Sequence, residues 1–230
     1  MKHKLMHSVA IVVALTIPLS SFAQFEGVLR LVPSGCQATG KCTLKDTLRF
    51  TDSAKVVWEA MAGLETDGAS IPTFFQPFVG KPFEESFIKA AVIHDHYCDR
   101  HVRPWRQTHR VFYEGLIDQG VSKAKAKLMY FAVYLGGPKW VELIPGNKCD
   151  GNCINNIKTA SGDPVIKYRE ADYSLFDMQS LLKNISQELE ANPDALTLEQ
   201  LEDRARAKRP NDYYYKNGNQ VKVDGLGVTQ

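Results

Sequence analysis

Between residues 84 and 138, prolines and glycines punctuate the chain at intervals that fit three helices and little else. Pro104 restricts Arg103 to extended backbone and ends a first helix that runs from Glu84 to about Val102. Trp105 to Gln119 reads as the second, closed by Gly120. Ser122 caps a third that reaches Leu135, where Gly136-Gly137-Pro138 stops it. Trp105, His109, Phe112 and Leu116 recur at helical spacing and give the second helix one apolar face. Connections this short make the second and third helices antiparallel neighbours.

The flanks read differently. Val28 to Val32 and Thr47 to Phe50 alternate apolar and polar residues as strands do, and Ala54 to Ala60 suits another strand. Residues 66–83 hold Gly68, Pro72, Pro77, Gly80 and Pro82 and read as a loop. Its Phe74, Phe75, Phe78 and Phe83 are expected to fill the core between strands and helices; the alternative is docking on a lipid surface. Residues 146–171 look like loop. Tyr173 to Glu190 carries an amphipathic stripe of Leu175, Met178, Leu182 and Ile185. Thr197 with Gln200 forms a capping box that opens a charged helix to Lys208, and the polar tail beyond is expected to fray. The fold class expected is α+β: a small N-terminal antiparallel sheet, a three-helix core, and a C-terminal helical appendage. The divisions expected are 24–146 for the helical domain with its strands and 147–230 for the appendage.

The first 23 residues read as a cleaved signal peptide. Lys2 and Lys4 make a positive start, Val9 to Pro18 an apolar stretch, and Ser21-Phe22-Ala23 a cleavage site. No cysteine follows that site, as a lipoprotein would need, so a periplasmic or secreted location is expected. Lys+Arg number 28 and Asp+Glu 26. Without Lys2 and Lys4 the balance is 26 against 26, which argues against a nucleic-acid partner. Outside the cytoplasm paired cysteines are the default. Cys36 with Cys42 and Cys149 with Cys153 are the expected local disulfides, leaving Cys98 as the odd thiol. Their spacing suits a four-cysteine zinc site poorly, but other pairings stay open.

Chemistry concentrates in the first two helices. Beyond the leader the chain has four histidines, His94, His96, His101 and His109, all within 16 residues, interleaved with Asp95, Cys98 and Asp99. At about 100° per residue, His94, Cys98 and His101 share one helix face and Asp95 and Asp99 another. His94 suits a proton acceptor and Asp95 an oxygen ligand for a hard cation. The trio His94, Cys98 and His101 is the rival, a transition-metal site. His96 and His101 are otherwise expected to face solvent, and Cys98 to be a buried free thiol. Asp67-Gly68 opens a sharp turn whose carbonyls could face an ion beside Asp95; the plainer reading has Asp67 bonding the amides of its own turn.

Thr66-Asp67-Gly68-Ala69-Ser70-Ile71-Pro72 followed by Ala90-Ala91-Val92-Ile93-His94-Asp95 resembles a family of unknown function common in phages and bacteria, over roughly residues 45–140. A weaker resemblance is to the prokaryotic phospholipase A2 fold, where one helix carries a His-Asp pair and the next supplies an Asp that orients the histidine. That resemblance implies His94 as general base, with Asp95 and loop carbonyls at Asp67 holding calcium. His109 stands where the orienting Asp belongs, Cys98 where that fold usually has tyrosine, and no clear glycine-rich calcium loop is present. The function implied is an exported, calcium-assisted ester hydrolase acting at lipid. The alternatives are a non-enzymatic phage-derived or envelope module with a structural ion, and a zinc hydrolase of cell wall. The partner of the C-terminal helices is not given by the sequence.

Overall fold

The computed structural model describes residues 23–69, 71–145 and 164–223. All but the last residue of the expected leader, and the pair Cys149 and Cys153, lie outside the described residues. Six short strands come first: β1 (Gln24–Glu26), β2 (Leu31–Val32), β3 (Cys42–Leu44), β4 (Leu48–Thr51), β5 (Val57–Ala60) and β6 (Glu65–Thr66). They form two antiparallel three-stranded sheets, ordered β1-β4-β5 and β2-β3-β6. Leu48 and Phe50 of β4 point inward with Trp58 and Ala60 of β5, while Arg49 between them stays exposed. Cys36 and Cys42 are joined by a disulfide that ties the turn before β3, as expected.

The helices are α1 (Gln76–Val79), α2 (Ile88–Arg100), α3 (Trp105–Asp118) and α4 (Lys123–Gly136). Pro104, Ser122 and Gly137 stand at the boundaries expected of them, and Ser122 accepts a hydrogen bond from the Lys125 amide. Glu84 to Phe87 form a turn rather than the first turn of α2.

Beyond α4 come β7 (Lys139–Pro145), β8 (Val165–Arg169), α5 (Met178–Ala191), α6 (Leu198–Lys208), α7 (Tyr213–Lys216) and β9 (Gln220–Val223). This corrects the expectation of loop at residues 165–169 and of a frayed tail up to residue 223; residues 146–163 and 224–230 lie outside the described residues. β7 pairs antiparallel with β8 and parallel with β9, Trp140 opposite Tyr168 and Leu143 opposite Val221. α6 keeps its capping box at Thr197 and Gln200. Leu182, Ile185 and Leu189 of α5 and Leu201 and Ala205 of α6 are buried in the same cluster as Leu128, Phe131 and Leu135 of α4. The C-terminal helices therefore share the core of the His-Asp helices instead of hanging from it.

Two cores meet on α2. Ala90, Ala91 and Cys98 pack toward α3 and α4, while Ile88, Val92, Ile93 and Tyr97 pack on Phe50 and Trp58 of the sheet. Burying each large apolar side chain of this kind contributes about 1.5–3 kcal/mol, so α2 is fixed from both sides. Gly115 lets α3 approach closely: a Cβ there would lie 3.0 Å from Ala90 Cβ and 3.3 Å from Phe25 Cζ. Phe75 and Phe87 are core residues, and Phe74, Phe78 and Phe83 are half-buried against the two clusters, as the core-filling reading expects.

Candidate functional site

The close contact of α2 and α3 brings His94 and His109 together. His94 Nε2 lies 2.9 Å from His109 Nδ1, and both side chains are buried. On its far side His109 Nε2 lies 3.1 Å from the carbonyl oxygen of Pro138. A carbonyl only accepts, so His109 Nε2 carries the hydrogen. Burial first, then the neighbouring His94 and Lys139, hold His109 far below the usual histidine range, so it is neutral and its Nδ1 is an acceptor. The bond between the rings is therefore donated by His94 Nε2. His94 Nδ1 then faces Asp95 Oδ1 at 3.2 Å, and one proton must lie between them. Burial raises the Asp95 carboxyl above its ordinary value.

Cys98, one turn after His94, completes the group. Its Sγ is 3.5 Å from His94 Nε2 and 3.8 Å from Nδ1, over the ring. Burial pushes its thiol well above the ordinary range, so it is protonated. Among the described residues, His94, Cys98 and His109 are the one set of three or more His, Cys, Asp or Glu side chains whose ligand atoms lie within 4.8 Å of one another. The sequence expected His101 in that place. Instead α2 ends at Arg100, and His101 takes a left-handed backbone with φ 54°. Its ring stacks on Tyr168 and leans on Trp140. His109 fills the position from the next helix, which helical spacing within α2 could not reveal. In the sequence Pro138 reads as a helix stop, and nothing there marks its carbonyl as the anchor of His109.

Two cavities meet beside this group, at Asp95 and Asp99. One is an apolar crevice of about 170 Å³ that reaches His94 and Cys98, walled by Ile71, Phe75, Val79, Met129 and Val133. The other is a polar cleft of about 710 Å³ lined by Lys41, Glu65, Asp67 and His96. Asp95 and Asp99 line both. Asp67 thus shares a cleft with Asp95, but among the described residues the two belong to no group of three or more ligands. The turn before them holds itself: the Gly68 amide donates to Thr66 Oγ1, and Gly68 has φ +87°. Asp95 keeps 28% of its side chain exposed, yet its Oδ2 is enclosed and has no hydrogen-bond partner. His96, expected at the surface, is buried, with Nδ1 also unpartnered and its protonation disfavoured by burial.

Residues 42–133 match the family model described as "Protein of unknown function (DUF1353)", a span holding Asp67, His94, Asp95, Cys98 and His109. The uncharacterized protein y4iH of Sinorhizobium fredii (strain NBRC 101917 / NGR234) is 43% identical over 179 residues, 77% of this chain and 74% of that protein. The uncharacterized protein y4jT of the same organism is 43% identical over 97 residues, 42% of this chain and 29% of that protein. No solved structure matches. With a relative aligned over most of both chains and the family model covering both helices of the site, the chain belongs to the DUF1353 family.

Proposed function

We propose that the chain is a hydrolase of ester or amide bonds that works outside the cytoplasm, with the buried His94–Cys98–His109 group as its reacting centre. The observation that carries this reading is the convergence of those three side chains, two of which, His94 and Cys98, line a largely apolar crevice. A substrate placing an apolar group in the crevice and a polar group in the adjoining cleft would set the bond between them beside Asp95 and His94. Such convergence of titratable groups in a cavity is the arrangement that catalysis needs. The Pro138–His109–His94 chain fixes both ring orientations in advance.

Turnover by the purified full chain tests the reading. The substrates are phospholipid in mixed micelles, nitrophenyl esters of graded acyl length, and N-acyl amides. Release of the acyl product should require His94 and vanish in His94→Ala; release that survives that substitution sinks the proposal.

The unpartnered Oδ2 of Asp95 favours a second reading. In this phospholipase A2-type form, Asp95 and the Asp67 turn would hold calcium, which would polarise the ester carbonyl of a lipid substrate. Once the proton between Asp95 Oδ1 and His94 Nδ1 is released to solvent, His94 Nδ1 would be free to take a proton from water, with His109 orienting the ring. Chelation would then abolish turnover, and calcium alone would restore it. A folded chain that binds an ion but turns over none of these substrates would instead be the non-enzymatic envelope module.

A further inference from the structure

We infer that His94 Nε2, His109 Nδ1 and Cys98 Sγ together hold one divalent transition-metal ion, of which zinc best suits two imidazoles and a thiolate. The inference rests on the proposed reacting centre but concerns binding, and binding can be measured without turnover.

Distances are the first argument. Zinc bonds of about 2.0–2.1 Å to nitrogen and 2.3 Å to sulfur, in tetrahedral arrangement, put nitrogens about 3.3 Å apart and nitrogen about 3.6 Å from sulfur. The nitrogens here are 2.9 Å apart, and Sγ is 3.5 Å from Nε2. Opening the rings by about 0.4 Å, and bringing Sγ and His109 Nδ1, now within 4.8 Å of each other, to about 3.6 Å, admits an ion at zinc's bond lengths. Because Sγ lies over the His94 ring, the thiol must also swing toward the ring plane.

The outer partners are the second argument. A metal-bound histidine holds its other ring nitrogen to a carboxylate or a carbonyl, which fixes ring and tautomer. Both are present: His94 Nδ1 faces Asp95 Oδ1 at 3.2 Å, and His109 Nε2 donates to the Pro138 carbonyl at 3.1 Å. His109 already has the tautomer a ligand needs. His94 needs its proton moved from Nε2 to Nδ1, where Asp95 Oδ1 accepts it. With the proton now shared by Nδ1 and Oδ1, and the one on Cys98 Sγ, released to solvent, the ligands balance. Asp95 is thus a positioning residue, and the crevice that reaches His94 and Cys98 leaves a fourth coordination place for a small ligand.

Metal analysis of the full chain, purified without chelator, should find one zinc per chain. Cobalt added to the stripped protein should give the intense visible bands of four-coordinate cobalt and a sulfur-to-cobalt charge-transfer band. Cys98→Ser should lose the charge-transfer band, Asp95→Asn should weaken binding about 10–100-fold, and His101→Ala should bind as wild type does. Absence of the sulfur band in wild-type protein overturns the inference, a result that does not depend on any variant folding. So does tight binding that Cys98→Ser leaves unchanged. An ion bound at these three residues in a chain without turnover leaves the metal site standing and defeats the hydrolase. Undiminished turnover in the stripped protein leaves the hydrolase and overturns a part for the metal in it.

Discussion

Replacing His109 with leucine tests the hydrogen-bond logic of the site. His109 is fully buried, accepts from His94 Nε2 and donates to the Pro138 carbonyl. Leucine can do neither, so the buried His94 Nε2 and the half-buried Pro138 carbonyl lose their partners. Each such loss costs about 1–3 kcal/mol, so His109→Leu should lower the unfolding free energy by about 2–6 kcal/mol. That is a large share of the 5–15 kcal/mol typical of a domain. His109→Asn separates the two terms. Its carboxamide oxygen can stand near the Nδ1 position and accept from His94, leaving only Pro138 unpaired, so its cost should be about 1–3 kcal/mol. Urea unfolding measures both, with the disulfide intact and chelator present, because any bound ion adds its own stabilisation to the wild type. A His109→Leu chain within about 1 kcal/mol of wild type, below the cost of one buried orphan, would refute the bonding scheme. So would equal losses for asparagine and leucine.

Four other outcomes follow. Gly115→Val should destabilise by at least the 1–3 kcal/mol typical of overpacking, because even one Cβ there meets Ala90 at 3.0 Å; thermal unfolding reads it. Gly68→Ala should cost about 1–3 kcal/mol by denaturant unfolding, because φ is +87° and its Cβ would lie 2.8 Å from the Pro82 carbonyl. Reducing the disulfide, or Cys36→Ser with Cys42→Ser, should cost about 2 kcal/mol from the short loop it closes. Asp172 is held well below the ordinary carboxylate range by Ser174 and then Arg209. The stability it contributes is present above its unfolded value and is lost as pH falls below about 4. Asp172→Asn should flatten that acid limb when stability is followed against pH, and an unchanged limb would count against the assignment.

Much of the helical frame was legible because its boundaries are local: Pro104 and Ser122 act on the residues beside them, and the Thr197–Gln200 box spans one turn. The sheet formed by β7, β8 and β9 was not, since β7 pairs with residues more than 20 and about 80 positions further on. The same distinction governs the site. His94, Asp95 and Cys98 could be picked out from one helix. Replacing His101 by His109 depended on a left-handed turn at His101 and on α3 closing onto α2 at Gly115, both products of tertiary packing. His96, expected at the surface, is buried beside the polar cleft that it lines with residues 40–43 and 64–67, a meeting of distant segments that spacing within α2 does not show.

The most direct measurement is an anomalous-scattering map at the zinc edge from crystals of the full chain grown with zinc. The account predicts one peak about 2.0–2.1 Å from His94 Nε2 and His109 Nδ1 and about 2.3 Å from Cys98 Sγ, the distances of a zinc site. A map with no peak among those atoms, the two rings still bonded to each other, would contradict it, as would a peak confined to the cleft between Asp67 and Asp95.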